Sequence, residues 1–421
     1  MSTRVPLWSS FVRLYRGDGL FRSSLDFAVI GMAVYLFIAP LPLPSLGWLA
    51  GSGAGATGAH AAPSGTTPPA AATAVPGIAQ AANPHNGQQP AAFKVSRAWF
   101  KLSDPEIEPM LNKAADLIER RDGSAALAVL NEIGRPDDPN VANLSAYGYL
   151  LVRDKDAMQR AYDAHLRAAQ AGHPESMHQV GQMLRLGSAG HIDLAAAVDW
   201  YEKSAAAGSA EGATLAGRAY VNGWSRPVDY AKGASYYRMG AERGDLWGMN
   251  NLGALYFNGN GVTADRAAGR DWFEKAASGG LVAAKHNMAT MLHKGLGGPR
   301  DIDGFLKWDQ EAANQGYAPA LYDLGIFYLE PDDGRSADAA RAAVYLRQAA
   351  VKRHPPAEFA LATLYDRGVG MPPNPVQAFV YYSLALRSGE PAAKERLDAL
   401  RLRMNALDLE NAQKLVAAAS S

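Results

Sequence analysis

The residues of this 421-residue chain that most readily bind metals or move protons are its nine histidines. His286 and His293 are seven residues apart, so they share one face of a helix but lie about two turns from each other. Zinc ligands on one helix are normally four residues apart. His173 and His354 each precede a proline and belong to turns that enter helices. With no cysteine to supply a thiolate, the sequence predicts no metal site.

A second set with catalytic potential is a series of aspartates that recurs at a step of about 36 residues. Its members are Asp193, Asp229, Asp265, Asp301, Asp338 and Asn374. Paired carboxylates can act as general acid and base, but this step places each carboxylate in a different structural unit. Asp and Asn are favoured helix N-caps, and a helical pattern follows each one. We therefore interpret the series as helix starts.

Aromatic residues repeat with the same step and could stack on sugar rings. They are Trp200, Tyr236, Trp272, Trp308, Tyr345 and Tyr381. Their helical spacing among alanines favours packing between helices over carbohydrate binding. The chain also lacks a serine nucleophile elbow, a phosphate loop and a zinc-protease helix. The sequence accordingly predicts no catalytic residue, no cofactor and no small-molecule substrate.

Two series of small residues indicate the helices and turns that position the aspartate and aromatic series. Glycines expected to end helices in the left-handed conformation are Gly172, Gly208, Gly244, Gly280 and Gly316, with Arg353 and Gly389 continuing the register. Residues small enough for another backbone to pass close by are Gly181, Gly217, Gly253, Ala289, Gly325 and Ala362. Because all these series keep one register, they predict an all-α fold, a right-handed α-solenoid of helix-turn-helix repeats with period 36.

One further series is a candidate partner-binding surface. Two residues before the small residues lie Gln179, Leu215, Asn251, Asn287, Asp323 and Ala360. If the first helices line the concave side of the solenoid, the polar members Gln179, Asn251, Asn287 and Asp323 can bond to a partner's backbone. The alternative is that they bond neighbouring helices and specify packing only.

The third unit carries these signals most completely. It reads Leu252-Gly253-Ala254-Leu255-Tyr256, Gly259-Asn260-Gly261-Val262, Asp265 and Trp272-Phe273-Glu274-Lys275-Ala276-Ala277. This pattern resembles the Sel-one-like repeat, a relative of the tetratricopeptide repeat. The fourth unit departs from it, with Ala289 in place of glycine and Asp309 after Trp308. The resemblance implies a solenoid that binds proteins, as similar repeats do in bacterial envelope complexes for signalling and exopolysaccharide secretion.

The N-terminal quarter has a different composition. Residues 1–26 are basic, and no charged residue occurs from Phe27 until Lys94. Residues 27–50 have the length of a transmembrane anchor, although prolines from Pro40 onward leave an apolar core typical of a signal segment. A buried helix of a soluble domain is the third alternative. Arginines on the N-terminal side predict a cytoplasmic N-terminus with the remainder exported, and residues 51–92 predict a disordered Ala/Gly/Pro linker.

The remaining boundaries follow from the repeats. Residues 93–171 are predicted to form an N-terminal helical cap region, residues 172–389 the array of six units, and residues 390–421 the C-terminal capping helices. Lys plus Arg equals Asp plus Glu, at 41 each. This neutral balance argues against a nucleic-acid partner, because phosphate binding requires a basic surface.

Taken together, the repeats, linker and apolar segment favour a non-catalytic scaffold or adaptor in the bacterial cell envelope. In this hypothesis the chain is a single-pass inner-membrane protein that holds a protein partner on the concave face of its periplasmic solenoid. An alternative is a periplasmic regulator of a membrane sensor or of exopolysaccharide production, released by signal cleavage. A further alternative is a polysaccharide-acting enzyme, which would need a cluster of paired carboxylates in a cleft.

Overall fold

The computed structural model describes residues 95–419 apart from 153 and 189. This part of the chain contains eighteen α-helices, two short 3-10 helices (Phe100–Leu102 and Pro105–Ile107) and no strand. The helices are α1 (Glu108–Glu119), α2 (Gly123–Ile133), α3 (Pro139–Leu151), α4 (Ala157–Gln170), α5 (Pro174–Leu186), α6 (Leu194–Ala206), α7 (Ala210–Asn222), α8 (Tyr230–Glu242), α9 (Leu246–Asn258), α10 (Arg266–Ser278), α11 (Val282–Lys294), α12 (Ile302–Asn314), α13 (Ala318–Leu329), α14 (Ala339–Val351), α15 (Pro355–Arg367), α16 (Pro375–Arg387), α17 (Ala393–Arg403) and α18 (Ala406–Ala418).

The predicted anchor and linker, residues 1–26, 27–50 and 51–92, lie outside the described residues. Among the residues that are described, every helix is too short or too polar to cross a lipid bilayer. The described helices form an all-helical repeat solenoid, in which each helix from α1 to α16 packs against the next along the chain and α18 packs against α16.

Aspartates begin the second helix of each repeat. The Asp265 carboxylate accepts a hydrogen bond from the Ala268 amide at 2.9 Å and thereby satisfies one of the unpaired N–H groups at the start of α10. The other members of the series cap their helices in the same way: Asp193, Asp229, Asp301, Asp338 and Asn374. In five repeats a carboxylate therefore accepts a hydrogen bond from a backbone amide, and in the sixth the Asn374 side chain does so.

After each second helix, one residue adopts the left-handed backbone conformation. Gly280, after α10, has a φ of 99°, and the next amide, that of Leu281, donates to the Ala276 carbonyl at 3.0 Å. This arrangement satisfies carbonyl groups that the last helical turn leaves unpaired. Arg353 adopts a φ of 59° at the equivalent place in the fifth repeat, so the register of the turns continues even where glycine is absent.

The small-residue series allows the two helices of a repeat to come close together. A Cβ atom added to Gly181 would lie 2.9 Å from the Ala197 carbonyl oxygen and 2.7 Å from the Tyr201 ring. At Gly217 the same atom would lie 2.9 Å from the Gly233 carbonyl oxygen, and at Gly325 it would lie 2.7 Å from Leu346 Cγ. The missing side chains are thus occupied by the backbone and core residues of the second helix.

The space beside the small residues is filled by one large side chain from each second helix. Most of these residues are fully or almost fully buried: Tyr201, Tyr237, Phe273, Leu346 and Tyr382. The fourth repeat has Ala289 and Asp309 at these two positions, and both are fully buried. A carboxylate therefore occupies a core position in this repeat.

Helices α1 to α4 precede the six repeats and α17 and α18 follow them. Leu111 and Ile118 of α1 are buried in a separate core with residues of α2 and α3. At the other end, Ala412 and Val416 of α18 are buried against α16. The ends of the array are therefore covered by further helices rather than left as open repeat faces.

The Gly253→Leu substitution tests the close helix approach. A Cβ at Gly253 would lie 3.0 Å from the Gly269 carbonyl oxygen and 3.2 Å from the Phe273 ring, so the larger side chain must separate α9 from α10. We expect the free energy of unfolding, measured by urea denaturation, to fall by about 1–3 kcal/mol or more. Ala206→Leu on the exposed end of α6 is the matched control. Equal stability of the two variants would contradict the assigned register.

Candidate functional site

The first polar residue of the predicted binding series, Gln179, is half-buried on α5. Its Nε2 group donates to the Tyr147 hydroxyl at 3.1 Å, and that hydroxyl donates to Glu175 Oε1 at 2.6 Å. The bond to Tyr147 joins α5 to α3. Gln179 therefore contacts the preceding unit while part of its side chain stays accessible to a partner.

The amides in the middle of the series lie deeper than a binding surface requires. Asn287 is fully buried, and its Nδ2 donates to Asn250 Oδ1 at 2.9 Å, which joins α11 to α9. Asn251 is only 8% exposed. For Asn251 and Asn287, burial favours the packing interpretation over contact with a partner. Gln179 and Asp323, which are half-buried, stay candidates for binding.

The residues immediately before this series form a buried polar layer that the sequence analysis missed. They are His178, Thr214, Asn250 and His286. Thr214 on α7 donates to the Asp245 carboxylate at 2.7 Å, and Asp245 caps α9. First helices of successive repeats are therefore joined directly by hydrogen bonds. The 36-residue recurrence of these polar residues was a signal that could have revealed the layer.

The fourth repeat contains the most unusual part of this layer. His286 Nδ1 lies 2.9 Å from Asp309 Oδ1, and Asp323 from α13 approaches both residues. Burial raises the pKa of Asp309 to about 7, although the adjacent His286 opposes this effect. Burial alone would lower the pKa of His286, but the charge and hydrogen bond of Asp309 raise it to about 8. From the sequence alone, Asp309 is only a departure from the repeat pattern.

A second buried polar cluster lies where the repeats meet the N-terminal helices. His173 caps α5, and its Nδ1 accepts a hydrogen bond from the Ser176 amide at 3.2 Å. This bond requires an unprotonated Nδ1, so the ring proton of the neutral form lies on Nε2, 3.2 Å from Asn140 Oδ1. His165 lies 3.4 Å from the Ser176 hydroxyl and is 1% exposed. The cluster therefore favours neutral histidines.

The pKa values agree with that geometry. Burial, with the charges of His178 and His173, lowers the pKa of His165 to about 3. Burial, with the charge of His178, lowers the pKa of His173 to about 4. Protonation of either ring would place a charge in a desolvated position. These histidines stabilise the folded chain only in their neutral form.

The aromatic series lies half-buried on the second helices. Lys203 Nζ lies 4.4 Å from the centre of the Trp200 ring, and Lys275 Nζ lies 4.2 Å from that of Trp272. Trp308 is partly buried against a hydrophobic core, and Lys307 Nζ lies 5.7 Å from the centre of its ring. Each of these three tryptophan rings covers apolar residues with part of its surface and contacts a lysine. These contacts give the tryptophans a packing role.

The pairs of antiparallel helices, the glycine turns between them and the contacts that repeat from unit to unit define an α-solenoid of helix-turn-helix repeats. Six segments match the family model described as Sel1 repeat, at residues 174–209, 210–245, 248–281, 282–317, 318–350 and 355–390. The matches cover half of the chain, and the chain belongs to the Sel1 repeat family. Proteins of this family are generally non-catalytic scaffolds for protein–protein interaction.

One solved structure supports the same fold, and a second is reported with it. A Sel1 repeat protein from Oxalobacter formigenes is 26% identical, with 57% of this chain and 96% of that protein covered and a TM-score of 0.52. A protective antigen present in uropathogenic Escherichia coli strains, which displays an SLR fold, is 19% identical, with coverage of 73% and 91% and a TM-score of 0.42. The comparison with curated proteins finds no match.

Replacement of Asn287 by alanine distinguishes packing from partner binding. The change leaves Asn250 Oδ1 without its buried donor, so we expect unfolding free energy to fall by about 1–3 kcal/mol. The Asn250→Ala/Asn287→Ala double variant should lose less than the sum of the single losses, because the two amides interact. Urea denaturation of all four proteins measures this coupling. Additive losses, or a loss of binding without a loss of stability, would contradict the packing role.

The buried histidines predict that acid destabilises the N-terminal cluster. The unfolded chain takes up protons below the ordinary histidine pKa of 6.5, whereas His165 and His173 stay neutral in the folded chain until about pH 3 and 4. At these two histidines the unfolded state therefore binds more protons, and their contribution to stability falls as pH drops from 6.5, by up to about 1.4 kcal/mol per pH unit for each histidine. Asp309, with its raised pKa, contributes with the opposite sign, so the histidine contribution is measured by urea denaturation at pH 7, 6 and 5 as the difference between the wild type and a histidine variant.

His173→Asn is the informative variant, because asparagine also caps helices but does not titrate. As the pH drops below 6.5, the unfolding free energy of this variant should fall less steeply than that of the wild type. The difference between the two slopes should be about the contribution of one histidine. His191→Asn, at an exposed position, is the control and should keep the wild-type slope. An unchanged slope in His173→Asn would show that this cluster does not account for the acid sensitivity.

Proposed function

We propose that this chain is a tethered scaffold of the bacterial cell envelope that holds a protein partner on the surface formed by its first helices. The single observation that carries the proposal is the direct linkage of successive first helices. Hydrogen bonds join α3 to α5, α7 to the cap of α9, and α9 to α11. These helices therefore lie side by side and offer a surface that continues from repeat to repeat.

The accessible part of this surface has the chemistry of a protein interface. The first helices carry partly exposed aromatic side chains at Trp247 of α9, Tyr322 of α13 and Phe359 of α15, each also packed against a hydrophobic core. Polar groups lie beside them, including Gln179 and Asp323. Aromatic anchors with surrounding polar residues are typical of surfaces that bind proteins, because the rings supply buried area with little loss of side-chain freedom. In this proposal the surface is the concave side of a right-handed solenoid.

The proposed location follows from the N-terminal sequence. Residues 27–50 insert in the inner membrane with the N-terminus in the cytoplasm, and residues 51–92 connect the anchor to a periplasmic repeat domain. In this proposal the length of residues 51–92 lets the repeats reach a partner that is not in contact with the anchor. The partner is an envelope or inner-membrane protein.

The test is a crosslinked pull-down of the tagged full-length chain from membranes, with mass spectrometry of the captured proteins. The Gln179→Ala/Trp247→Ala variant removes a polar and an aromatic side chain from the first-helix surface. We expect recovery of the specific partner to fall about tenfold, which corresponds to about 1.4 kcal/mol of binding free energy. Circular dichroism of each variant checks that the helices stay intact.

The Asp271→Ala/Lys307→Ala variant is the matched control, since both residues are exposed on second helices. It should capture the partner as well as the wild type does. Equal recovery by both variants would remove the first-helix surface from the proposal, and recovery of chaperones alone would count against a stable scaffold. A mature N-terminus near Thr57 or Ala62 would indicate a released periplasmic regulator instead of a tethered scaffold.

A further inference from the structure

Three side chains from three helices converge at the junction of the fourth and fifth repeats. They are His286 of α11, Asp309 of α12 and Asp323 of α13. One nitrogen or carboxylate oxygen from each residue lies within 4.8 Å of those from the other two. The chain segments that carry them are 14 or more residues apart, so only the stacking of the repeats brings these groups together.

One carboxylate oxygen of this cluster is buried without a hydrogen-bond partner among the described residues. Asp309 is fully buried, and its Oδ1 faces His286 Nδ1 at 2.9 Å. Its Oδ2 is also buried but has no hydrogen-bond partner among the described residues. A carboxylate oxygen in this environment normally has a donor or a cation beside it, because its desolvation is unfavourable. The unpaired oxygen therefore points to a ligand that neutralises it.

The packing of the repeat does not account for these carboxylates. At the position of Asp309 the other repeats carry large side chains, namely Tyr201, Tyr237, Phe273, Leu346 and Tyr382. At the position of Asp323 they carry amides or apolar residues, namely Gln179, Leu215, Asn251, Asn287 and Ala360. Both positions hold a carboxylate at this junction alone among the six repeats. The two departures lie next to a histidine, which is a common ligand of transition metals.

We propose that His286, Asp309 and Asp323 bind one divalent transition-metal ion of the Zn²⁺ type. One imidazole nitrogen and two carboxylate oxygens form a mixed N/O ligand set that Zn²⁺ accepts, whereas Mg²⁺ and Ca²⁺ prefer oxygen ligands alone. Two carboxylates match the charge of the ion. Asp323 is half-buried, so the ion enters from its side and keeps a coordination position for water or for a group of the bound partner.

Metal content is measured on the full-length chain after removal of bound metal with EDTA. Equilibrium dialysis against ZnCl₂, followed by elemental analysis, should give one tightly bound ion per chain. Co²⁺ used as a spectroscopic substitute should produce visible absorption bands of a low-coordinate N/O site. The thermal midpoint should rise with Zn²⁺ concentration, because the ion binds only the assembled junction. A wild-type chain that retains no Zn²⁺ would overturn the proposal.

Three variants install the residues that other repeats carry at the same positions: His286→Asn as in Asn250, Asp309→Leu as in Leu346, and Asp323→Asn as in Asn287. Each should weaken Zn²⁺ binding at least tenfold and abolish the Co²⁺ bands. Asp309→Leu removes one partner of the buried His286–Asp309 pair, a change that destabilises folded chains, so circular dichroism checks that this variant folds. Asp323→Asn is the least disruptive of the three, so its result stands even if another variant fails to fold.

The chain offers a matched control for adventitious binding to surface side chains. His293 and Asp332 form a more exposed pair with 3.2 Å between the imidazole Nε2 and the carboxylate. His293→Asn/Asp332→Asn should keep the stoichiometry and Co²⁺ spectrum of the wild type. Zn²⁺ binding that survives in Asp309→Leu and Asp323→Asn, or that is lost only in this control, would assign the ion elsewhere and overturn the proposal.

Discussion

The close approach of the two helices within each repeat is the constraint on which the rest of the structure depends. At Gly181, Gly217 and Gly253 the space of a side chain is taken by a carbonyl group and an aromatic ring of the second helix. Because the helices meet at this distance, the aligned capping residues and turns can repeat without change. The fourth repeat has Ala289 and Asp309 at the equivalent positions, so it buries a carboxylate where the other repeats bury a large side chain.

Stacking of the repeats creates a second, polar layer between the first helices. Apolar burial supplies most of the stability of a helical array, but it does not discriminate between neighbouring registers. Directional bonds such as that from Asn287 to Asn250 are satisfied in one alignment only. The layer thus aligns one repeat with the next, while leaving half-buried groups such as Gln179 at its accessible edge. In our proposal, specific alignment of the repeats and a continuous binding surface are two results of the same arrangement.

Membership of the Sel1 repeat family defines a scaffold at the level of the fold, and the individual character of this chain lies in its departures from the repeat. A scaffold needs a surface that stays in place while the partner binds, and the end helices and buried polar layer supply that rigidity. The junction of the fourth and fifth repeats differs from the others because it concentrates ionisable groups at one position. In our proposal, this departure gives the junction of the fourth and fifth repeats a role that the other repeats do not share.

The sequence by itself determined the period of the array, the two helices of each repeat and their boundaries. These features depend on local requirements of the backbone: an N-cap such as Asp265, a left-handed residue such as Gly280, and a small residue at Gly253. The tertiary structure decided which polar groups are accessible and which are buried. Asn287 and Asp323 occupy equivalent positions, yet one is enclosed between helices and the other is half-buried beside His286 and Asp309. That difference arises from contacts between repeats, whose distances are set by stacking and by side chains far apart in the chain.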